Sequence, residues 1–397
     1  MAMYIVAMSG GVDSAVAALL LLDAGHEVQG LFMANWEDDG EGYCTTAADY
    51  QDARRCCAEF GIPLHRVSFA AEYRERVFAH FLAELRAGRT PNPDVLCNRE
   101  IKFGLCLAYA RRLGAERFAT GHYARIGDGA RLLRGVDAAK DQSYFLHMLS
   151  SAELAACDFP IGALCKPEVR AIARERGLPV FDKRDSTGIC FIGERPFGAF
   201  LESWLPGNPG PIETGDGVVI GEHRGLVRYT LGQRSGLGVG GLQGRAAAPW
   251  FVAGKDLARN ALIVVQGRDH PALYCTGLRA AKMHWISGQP PAQAFECAVK
   301  LRYRQPDTRC AVKLSSDGAD LQFADPQPGA VPGQYAVFYR DQECLGGGVI
   351  DSLIIIPEES CRTASRHAAS SSSVTASSST TAWTRSRSTR SGACPTR

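Results

Sequence analysis

The chain has 397 residues, and its hydrophobic and charged fractions, 46% and 22%, are those of an ordinary globular protein. This length exceeds one typical domain and predicts two or three. No apolar run reaches the roughly 18 residues of a membrane span, and the N-terminus lacks the basic and apolar regions of a signal peptide. Fourteen scattered cysteines in so long a chain indicate reduced thiols and a cytoplasmic protein, not a disulfide scaffold.

Alternating strand and helix patterns occupy the first half of the chain. Strands are predicted at 4–8, 27–33, 64–69 and 117–120, and helices at 15–24, 46–60, 73–86 and 101–113. This rhythm predicts an α/β domain with a doubly wound parallel sheet over residues 1–205. Beyond it, short strands separated by Gly and Pro predict a small central domain at 206–275 and a C-terminal β-barrel at 276–356.

The C-terminal segment differs in composition from the rest. From Cys361 onward it has 18 Ser or Thr among 37 residues, with six Arg and no acidic residue. Such a segment cannot bury enough apolar surface to order itself, so residues 357–397 are predicted to be disordered and without function. A basic RNA-binding tail is the alternative. Without these arginines the remaining chain is slightly acidic, so any nucleic-acid binding would use local basic patches.

The first informative motif is Ser9-Gly-Gly-Val-Asp-Ser14, between a predicted strand and helix, where open α/β sheets bind ligands. Glycines let the backbone approach an anion, and the serine hydroxyls and helix N–H groups can bind phosphate. The lysine of the usual P-loop is absent. We predict a nucleotide site here, against the alternative of a plain connection. The hexapeptide resembles the signature of PP-loop ATP pyrophosphatases, which adenylate a substrate oxygen and release pyrophosphate.

Two cysteines lie in loop-like contexts that favour reactivity. Asp94 precedes Cys97 by three residues in Pro91-Asn-Pro-Asp-Val-Leu-Cys-Asn98, so the two side chains can share a helix face near a helix start. Cys190 follows a basic pair and a polar, Gly-containing turn in Lys183-Arg-Asp-Ser-Thr-Gly-Ile-Cys190. Two such thiols suit sulfur transfer, in which one carries a persulfide and the other releases the sulfur. The alternative is that both are buried small apolar residues.

Three further segments suit contact with RNA. Lys140-Asp-Gln142 stands beside aromatic residues, which fits phosphate contact and base stacking, or else a solvated turn. In Arg302-Tyr-Arg304 a strand would place both arginines on one face, as a phosphate track or as an ordinary polar face. His122 fits a base contact or a hydrogen-bonded loop histidine equally well.

These motifs together resemble the tRNA-specific 2-thiouridylases, in the same order along the chain from about Tyr4 to Ser352. The match also includes Thr120-Gly-His-Tyr-Ala124, Tyr229-Thr-Leu-Gly-Gln-Arg234 and Gly346-Gly-Gly-Val-Ile-Asp351. The resemblance implies a PP-loop domain, a small central domain and a C-terminal β-barrel. It implies 2-thiolation of the wobble uridine in the tRNAs for Lys, Glu and Gln, with sulfur from a persulfide donor such as a cysteine desulfurase or sulfur-relay protein.

Residue roles follow from the same resemblance. Cys97 would be the nucleophile, Cys190 the persulfide carrier and Asp94 the acid–base. The two cysteines would end in a disulfide. ATP contacts would be Ala7, Met8, Ser9, Gly10, Gly11, Val12, Asp13, Ser14, Met33 and Gly121. Contacts with tRNA would be Asn92, Pro93 and Asp94 around the flipped base, with His122, Lys140, Asp141, Gln142, Arg302, Tyr303 and Gln334 elsewhere. We expect Mg²⁺ to accompany ATP, because the pyrophosphate leaving group needs charge neutralisation, and no metal site in the protein itself.

Three alternatives stay open on the sequence. Another PP-loop ligase would share the nucleotide loop but would not need Cys97 and Cys190. An RNA-binding protein could keep the loop as a switch without catalysis. An iron–sulfur thiolase could use the two cysteines and a third ligand, although no C-x-x-C supports a cluster.

Overall fold

The computed structural model describes residues 1–36, 46–185, 197–240 and 248–355. In chain order the strands are β1 (Met3–Ala7), β2 (Glu27–Ala34), β3 (Leu64–Ser68), β4 (Arg117–Ala119), β5 (Ala124–Gly127), β6 (Arg131–Arg134), β7 (Cys157–Asp158), β8 (Gly210–Thr214), β9 (Val219–His223), β10 (Trp250–Asp256), β11 (Ala261–Gln266), β12 (Tyr274–Trp285), β13 (Ala294–Lys300), β14 (Thr308–Ser315), β15 (Gly318–Pro328), β16 (Tyr335–Arg340) and β17 (Glu343–Ile355).

The helices are α1 (Val12–Asp23), α2 (Thr46–Phe60), α3 (Ala70–Tyr73), α4 (Ala79–Arg86), α5 (Pro93–Leu96), α6 (Leu107–Arg112), α7 (Ser143–Leu146), α8 (Ser151–Ala155), α9 (Lys166–Glu175) and α10 (Phe197–Trp204). A π-helical segment, Arg74–Phe78, joins α3 to α4, and another, Cys97–Cys106, joins α5 to α6. Two long continuous helices result. No helix among the described residues is long and apolar enough to cross a membrane.

The first half of the chain forms a parallel sheet in the order β3-β2-β1-β4-β7. One apolar core, with Val6, Ala17 and Cys57, packs α1, α2 and α9 on one face. The other core packs the two long helices on the opposite face. Apolar residues cover both faces, as a parallel sheet requires, so the predicted doubly wound α/β domain is confirmed.

The second half is β-structured, as predicted. A small sheet of order β10-β11-β8-β9 closes over Ile212, Val252 and Leu262. Strands β12, β15, β14, β13, β16 and β17 then follow one another around a barrel, and pairing of β12 with β17 closes it. The predicted C-terminal β-barrel is therefore confirmed.

The sequence did not reveal how the barrel joins the first half of the chain. The hairpin β5–β6 belongs to the first half of the chain, yet β6 pairs with β17 through Leu132 opposite Cys344 and Leu133 opposite Glu343. Arg134 ends the hairpin with its guanidinium 3.7 Å from the ring centre of Tyr339. A shared sheet thus fixes the barrel against the domain that carries the nucleotide loop.

Two local predictions were wrong. The helix predicted from residue 101 begins at Pro93, because proline is favoured in a first helical turn. The strand predicted to run through Arg302-Tyr-Arg304 ends at Lys300, and the three residues lie in the turn that leads to β14. The two arginines therefore do not share a strand face: Arg304 is exposed and Arg302 is half-buried.

Leu132 tests the shared sheet. Its side chain is fully buried in the core that spans the first half of the chain and the barrel. Leu132→Ala should lower the free energy of unfolding by about 3 kcal/mol, the usual cost of such a cavity. Denaturant unfolding measures this. Val136→Ala, at a side chain that is 48% exposed, is the control and should change stability little. Equal effects of the two changes would contradict the shared core.

Candidate active site

The nucleotide loop lies between β1 and α1, at the carboxyl edge of the parallel sheet. Gly10 has a φ of +74°, and a Cβ there would overlap the carbonyl oxygen of Asp49. The hydroxyls of Ser9 and Ser14 lie 3.1 Å apart, and the Ser14 hydroxyl receives the Ser9 N–H and donates to the Gly11 carbonyl. This tight loop, followed by the N-terminus of a 12-residue helix, is suited to a phosphate group.

The neighbouring strands bring the other predicted ATP contacts to the same edge. Gly121 follows β4, and a Cβ at this position would lie 2.6 Å from the carbonyl carbon of Asp13 and 2.7 Å from the Ser14 nitrogen. Met33 lies near the end of β2, which pairs with β1. The structure therefore gathers the predicted nucleotide residues on three adjacent strands. Their contact with ATP stays a prediction.

Asp13, inside the loop, is held by groups that the sequence analysis did not assign. The Lys166 ammonium lies 2.7 and 2.9 Å from its two carboxylate oxygens, and the Tyr123 hydroxyl donates to it at 2.8 Å. Burial, and then the charge of Asp13, raises the pKa of Tyr123, so this phenol stays a donor. Tyr123 stood in the quoted Thr120–Ala124 motif, whereas Lys166 had no sequence signal beyond a helix start.

Asp185 extends this network. It accepts hydrogen bonds from Lys140 at 2.7 Å and Arg170 at 2.9 Å, and it lies 2.8 Å from Lys166. Burial raises the pKa of Asp185, but the hydrogen bonds from Lys140 and Lys166 outweigh it and lower the pKa to about 2. Lys140, predicted to touch tRNA, is thus linked through Asp185 and Lys166 to Asp13.

Lys183 forms a second link to the loop. Its ammonium donates to the Gly10 carbonyl at 3.0 Å and to Asp49 and Asp52 on α2 at 2.8 and 2.6 Å. Burial opposes its charge, but the hydrogen bonds that it donates to the two carboxylates raise the pKa of Lys183 overall. Cys190 itself, and the rest of its motif from 186 onward, lie outside the described residues.

Asp94 and Cys97 lie at the start of the long helix over residues 93–112. Burial raises the pKa of Asp94, and the positive charge of Lys102 offsets this only in part, so the carboxyl keeps its proton to higher pH than usual. The Cys97 thiol is 1% exposed, and the Asn35 amide nitrogen lies 3.9 Å from its sulfur. Cys97 lies in the second helical turn, where the dipole of the helix start acts weakly.

A second cysteine of the long helix over residues 93–112 is a packing residue. Cys106 is fully buried, and burial raises the pKa of its thiol to about 12. Such a thiol is not a nucleophile at neutral pH. Among the residues described, no group of three or more His, Cys, Asp or Glu side chains could hold a metal ion.

Asn92, at the N-terminus of the long helix, contacts the barrel. Its amide nitrogen lies 3.5 Å from the Gln334 side-chain oxygen, and the Gln334 amide donates to the Thr90 carbonyl at 2.8 Å. Two predicted tRNA contacts from different domains therefore adjoin, and Pro93 follows them. Beside them, His80, Arg99 and Lys282 line a cavity of about 180 Å³ between the helix and the barrel.

A second group of predicted tRNA residues lies around the Lys140 turn. Tyr303 donates its hydroxyl to the Lys140 carbonyl at 3.2 Å, and Gln142 accepts the Tyr123 N–H at 2.9 Å. Asp141 is 4% exposed and accepts the backbone N–H groups of Gly135 and Ser143, so it shapes the turn.

Arg302 belongs to the same region. It donates to the Leu231 carbonyl at 3.1 Å, and burial lowers its pKa. These contacts bring the central domain and the barrel together beside the turn that carries Lys140.

His122 is placed as a buried histidine. It is 9% exposed, its Nδ1 lies 2.7 Å from the Thr120 hydroxyl, and its ring packs against Phe103 and Phe159. Burial lowers the pKa of His122 well below its usual value, so the ring is neutral. Contact with tRNA stays a prediction for this residue and would require the surrounding side chains to part.

Comparison with known proteins gives three family matches in chain order. Residues 2–194 match the tRNA methyl transferase HUP domain, residues 198–266 the tRNA methyl transferase PRC-barrel domain and residues 275–350 the aminomethyltransferase beta-barrel domain. Among solved structures, a 4-thiouridine synthetase–RNA complex with bound ATP is 17% identical (TM-score 0.31), covering 51% of this chain and 49% of that one. The U34-tRNA thiolase NcsA of Methanococcus maripaludis is 18% identical (TM-score 0.34), covering 52% and 67%. Both TM-scores are low, so these two similarities say nothing about the reaction of this protein.

Curated relatives are much more similar. The tRNA-specific 2-thiouridylase MnmA of Chromohalobacter salexigens is 57% identical over 353 residues, which are 88% of this chain and 92% of that protein. The protein of the same name from Marinobacter nauticus is 56% identical over 354 residues, 87% and 90% of the two chains. Identity of this degree, over all three domains and the site just described, shows that the chain belongs to the tRNA-specific 2-thiouridylase family.

Proposed function

We propose that this protein catalyses ATP-dependent 2-thiolation of the wobble uridine, position 34, in the tRNAs for Lys, Glu and Gln. One observation carries the proposal. Asn35 comes two residues after Met33, just past the end of β2, and its amide lies beside Cys97. The nucleotide loop follows β1, the strand next to β2. A base held against this thiol would therefore lie close to the α-phosphate of a nucleotide in the loop.

The first reaction is adenylation of the uridine. ATP would supply an AMP group that converts the C2 oxygen into a good leaving group, and the pyrophosphate charge would be neutralised by Mg²⁺ when it is bound. The protein's part is to hold the loop in a fixed shape. Lys183 fixes the Gly10 carbonyl, and Lys166 with Tyr123 fixes the Asp13 carboxylate. A preformed loop spends no binding energy on ordering itself around the phosphates.

The second reaction is sulfur transfer. Cys190 would carry a persulfide from the donor, and its terminal sulfur would attack C2 and displace AMP. The Cys97 thiolate would then attack the inner sulfur, which breaks the S–S bond, leaves the terminal sulfur on the uridine and forms the Cys97–Cys190 disulfide. Burial raises the pKa of Asp94, so its carboxyl is better suited than an ordinary aspartate to act as an acid beside the reacting base.

An adenylating ligase of another kind is the second candidate, since the nucleotide loop alone would serve it equally. Such an enzyme would have no use for Cys97, whose thiol is buried beside Asn35. Substitution of the cysteines therefore separates the two functions.

We expect three different outcomes from cysteine substitution. Cys190→Ala should consume ATP slowly but transfer no sulfur, because the carrier is lost. Cys97→Ala should accumulate persulfide on Cys190 without turnover. Cys106→Ala, at a buried position on the same long helix, should behave like the wild type. Intact-protein mass spectrometry and thiolated-tRNA yield measure these outcomes. An inactive Cys106→Ala beside a fully active Cys97→Ala would show that the wrong thiol has been assigned.

Gly121 tests the nucleotide site. Any Cβ at this position would push the backbone of Asp13 and Ser14 out of place. Gly121→Ala should therefore weaken ATP binding at least tenfold while the fold persists, as measured by calorimetry and circular dichroism. Gly215→Ala, where a Cβ meets nothing within 4 Å, is the matched control. Unchanged ATP affinity in Gly121→Ala would exclude this edge as the site.

Asp94 gives a pH dependence of known sign. Its folded-state pKa is raised, so the unfolded chain releases this proton first as pH rises above about 4. Between that pH and the folded-state pKa of Asp94, the buried carboxyl therefore lowers the free energy of unfolding more and more as pH rises. Asp94→Asn should raise the melting temperature at neutral pH and hardly at all near pH 4, while sulfur transfer falls at least tenfold.

The control for this pair of measurements is Asp128→Asn, which removes one exposed carboxylate from the turn before β6. It should leave sulfur transfer unchanged. A stability gain in Asp94→Asn that is the same at pH 4 and pH 7 would show that the Asp94 carboxyl is not strained by burial.

A further inference from the structure

Asn35 stands at the point where β2 leaves the sheet, and none of the roles above includes it. The residue before it, Ala34, accepts the Phe69 N–H at 2.9 Å. The residue after it, Trp36, is 8% exposed and packs edge-on against Phe78 with ring centres 5.1 Å apart. The backbone of Asn35 is therefore fixed on both sides, and the Cα atom from which its side chain extends has a fixed position.

The two ends of the Asn35 amide differ in their surroundings. The nitrogen lies 3.9 Å from the sulfur of Cys97, and the oxygen is buried without a hydrogen-bond partner among the described residues. A buried amide oxygen normally accepts a hydrogen bond, so the Asn35 oxygen is available to a hydrogen-bond donor of a ligand. The residue as a whole is partly exposed, and the terminal torsion of Asn is broad, so a small rotation turns the oxygen toward solvent.

We propose that Asn35 is a positioning and specificity residue that recognises the N3–H group of the target uracil. This inference rests on the proposed function. In uracil, N3 is bonded directly to C2, the atom that receives sulfur. The Asn35 side chain accepts a hydrogen bond from N3–H while its amide nitrogen faces the Cys97 sulfur. This contact holds C2 beside the Cys97 thiol. The contact adds to those predicted for Asn92–Asp94.

The same contact would discriminate between bases. Cytosine also has an oxygen on C2, but its N3 carries no hydrogen and is an acceptor. Two acceptors would then face each other, with the Asn35 oxygen left unpaired at the moment when the base excludes water. A site that is built to pair a donor rejects the analogue that lacks it more strongly than an apolar pocket could.

The test is a double-mutant cycle that combines one change in the protein with one change in the RNA. An anticodon stem-loop RNA carries either uridine or 3-deazauridine, in which C–H replaces N3–H, at the wobble position. In the wild type the deaza change should weaken binding about three- to tenfold, the range for one neutral hydrogen bond. Asn35→Ala should bind the uridine RNA correspondingly more weakly and lose nothing further with the deaza RNA. Fluorescence anisotropy measures all four dissociation constants.

Two further variants separate recognition from mere structure. Asn35→Asp keeps an acceptor for N3–H, so it should retain the deaza penalty, whereas its charge should slow sulfur release by opposing the Cys97 thiolate. Gln29→Ala, on the same strand and hydrogen-bonded to His65 at 2.8 Å, should behave like the wild type in both assays.

An equal deaza penalty in the wild type and in Asn35→Ala would overturn the inference. A wild type that binds neither RNA and makes no thiolated product would instead refute the proposed function, so the two failures are distinguishable. A fall in melting temperature for Asn35→Ala with the full deaza penalty retained would show a structural residue only, which also overturns the inference.

Discussion

The hydrogen-bonded ion network at Asp185 is the constraint on which the site depends. One carboxylate accepts from Lys140, Lys166 and Arg170, and Lys166 bonds in turn to Asp13 of the nucleotide loop. Single exposed ion pairs contribute little, but removing one member of a partly buried network leaves the other charges uncompensated. The network therefore fixes the loop, the Lys140 turn and the chain entering the Cys190 motif relative to one another.

The barrel is fixed to this framework by backbone pairing and not by a flexible linker. Pairing of β6 with β17 makes the catalytic half and the barrel share a sheet, and Thr90 bonds to both Pro332 and Gln334 across the same boundary. Two predicted RNA contacts from the two domains, Asn92 and Gln334, therefore adjoin across a fixed boundary. Such preorganisation lowers the entropy cost of binding a large substrate.

The sequence revealed the architecture because the relevant signals are local. Gly10 needs a positive φ, and helix 46–60 carries its own periodicity, so both could be predicted from neighbours in the chain. The β6–β17 pairing could not, because it joins residues about two hundred positions apart and no short-range pattern encodes it. Arg302 was misplaced because a short alternating run is typical of a strand even where the chain turns.

The candidate site, too, could be predicted only where its residues lie in local sequence motifs. Gly121 and Asp13 stood in quoted motifs, and the structure brings them into contact. Lys166, Lys183 and Asn35 are ordinary residue types whose importance comes only from what the fold places beside them. His122 is the opposite case, since this motif residue was predicted to touch RNA but is buried against two aromatic rings.

The central claim is that this fold exchanges one specific oxygen of tRNA for sulfur at the expense of ATP. Its most direct test is nucleoside mass spectrometry of tRNA for Glu after incubation with the full chain, ATP, Mg²⁺ and a persulfide donor. We expect 2-thiouridine at position 34, formed only when ATP and the donor are both present, with AMP and pyrophosphate released in equal amounts. ATP cleavage that leaves the wobble uridine unmodified, or sulfur incorporated without ATP, would contradict it.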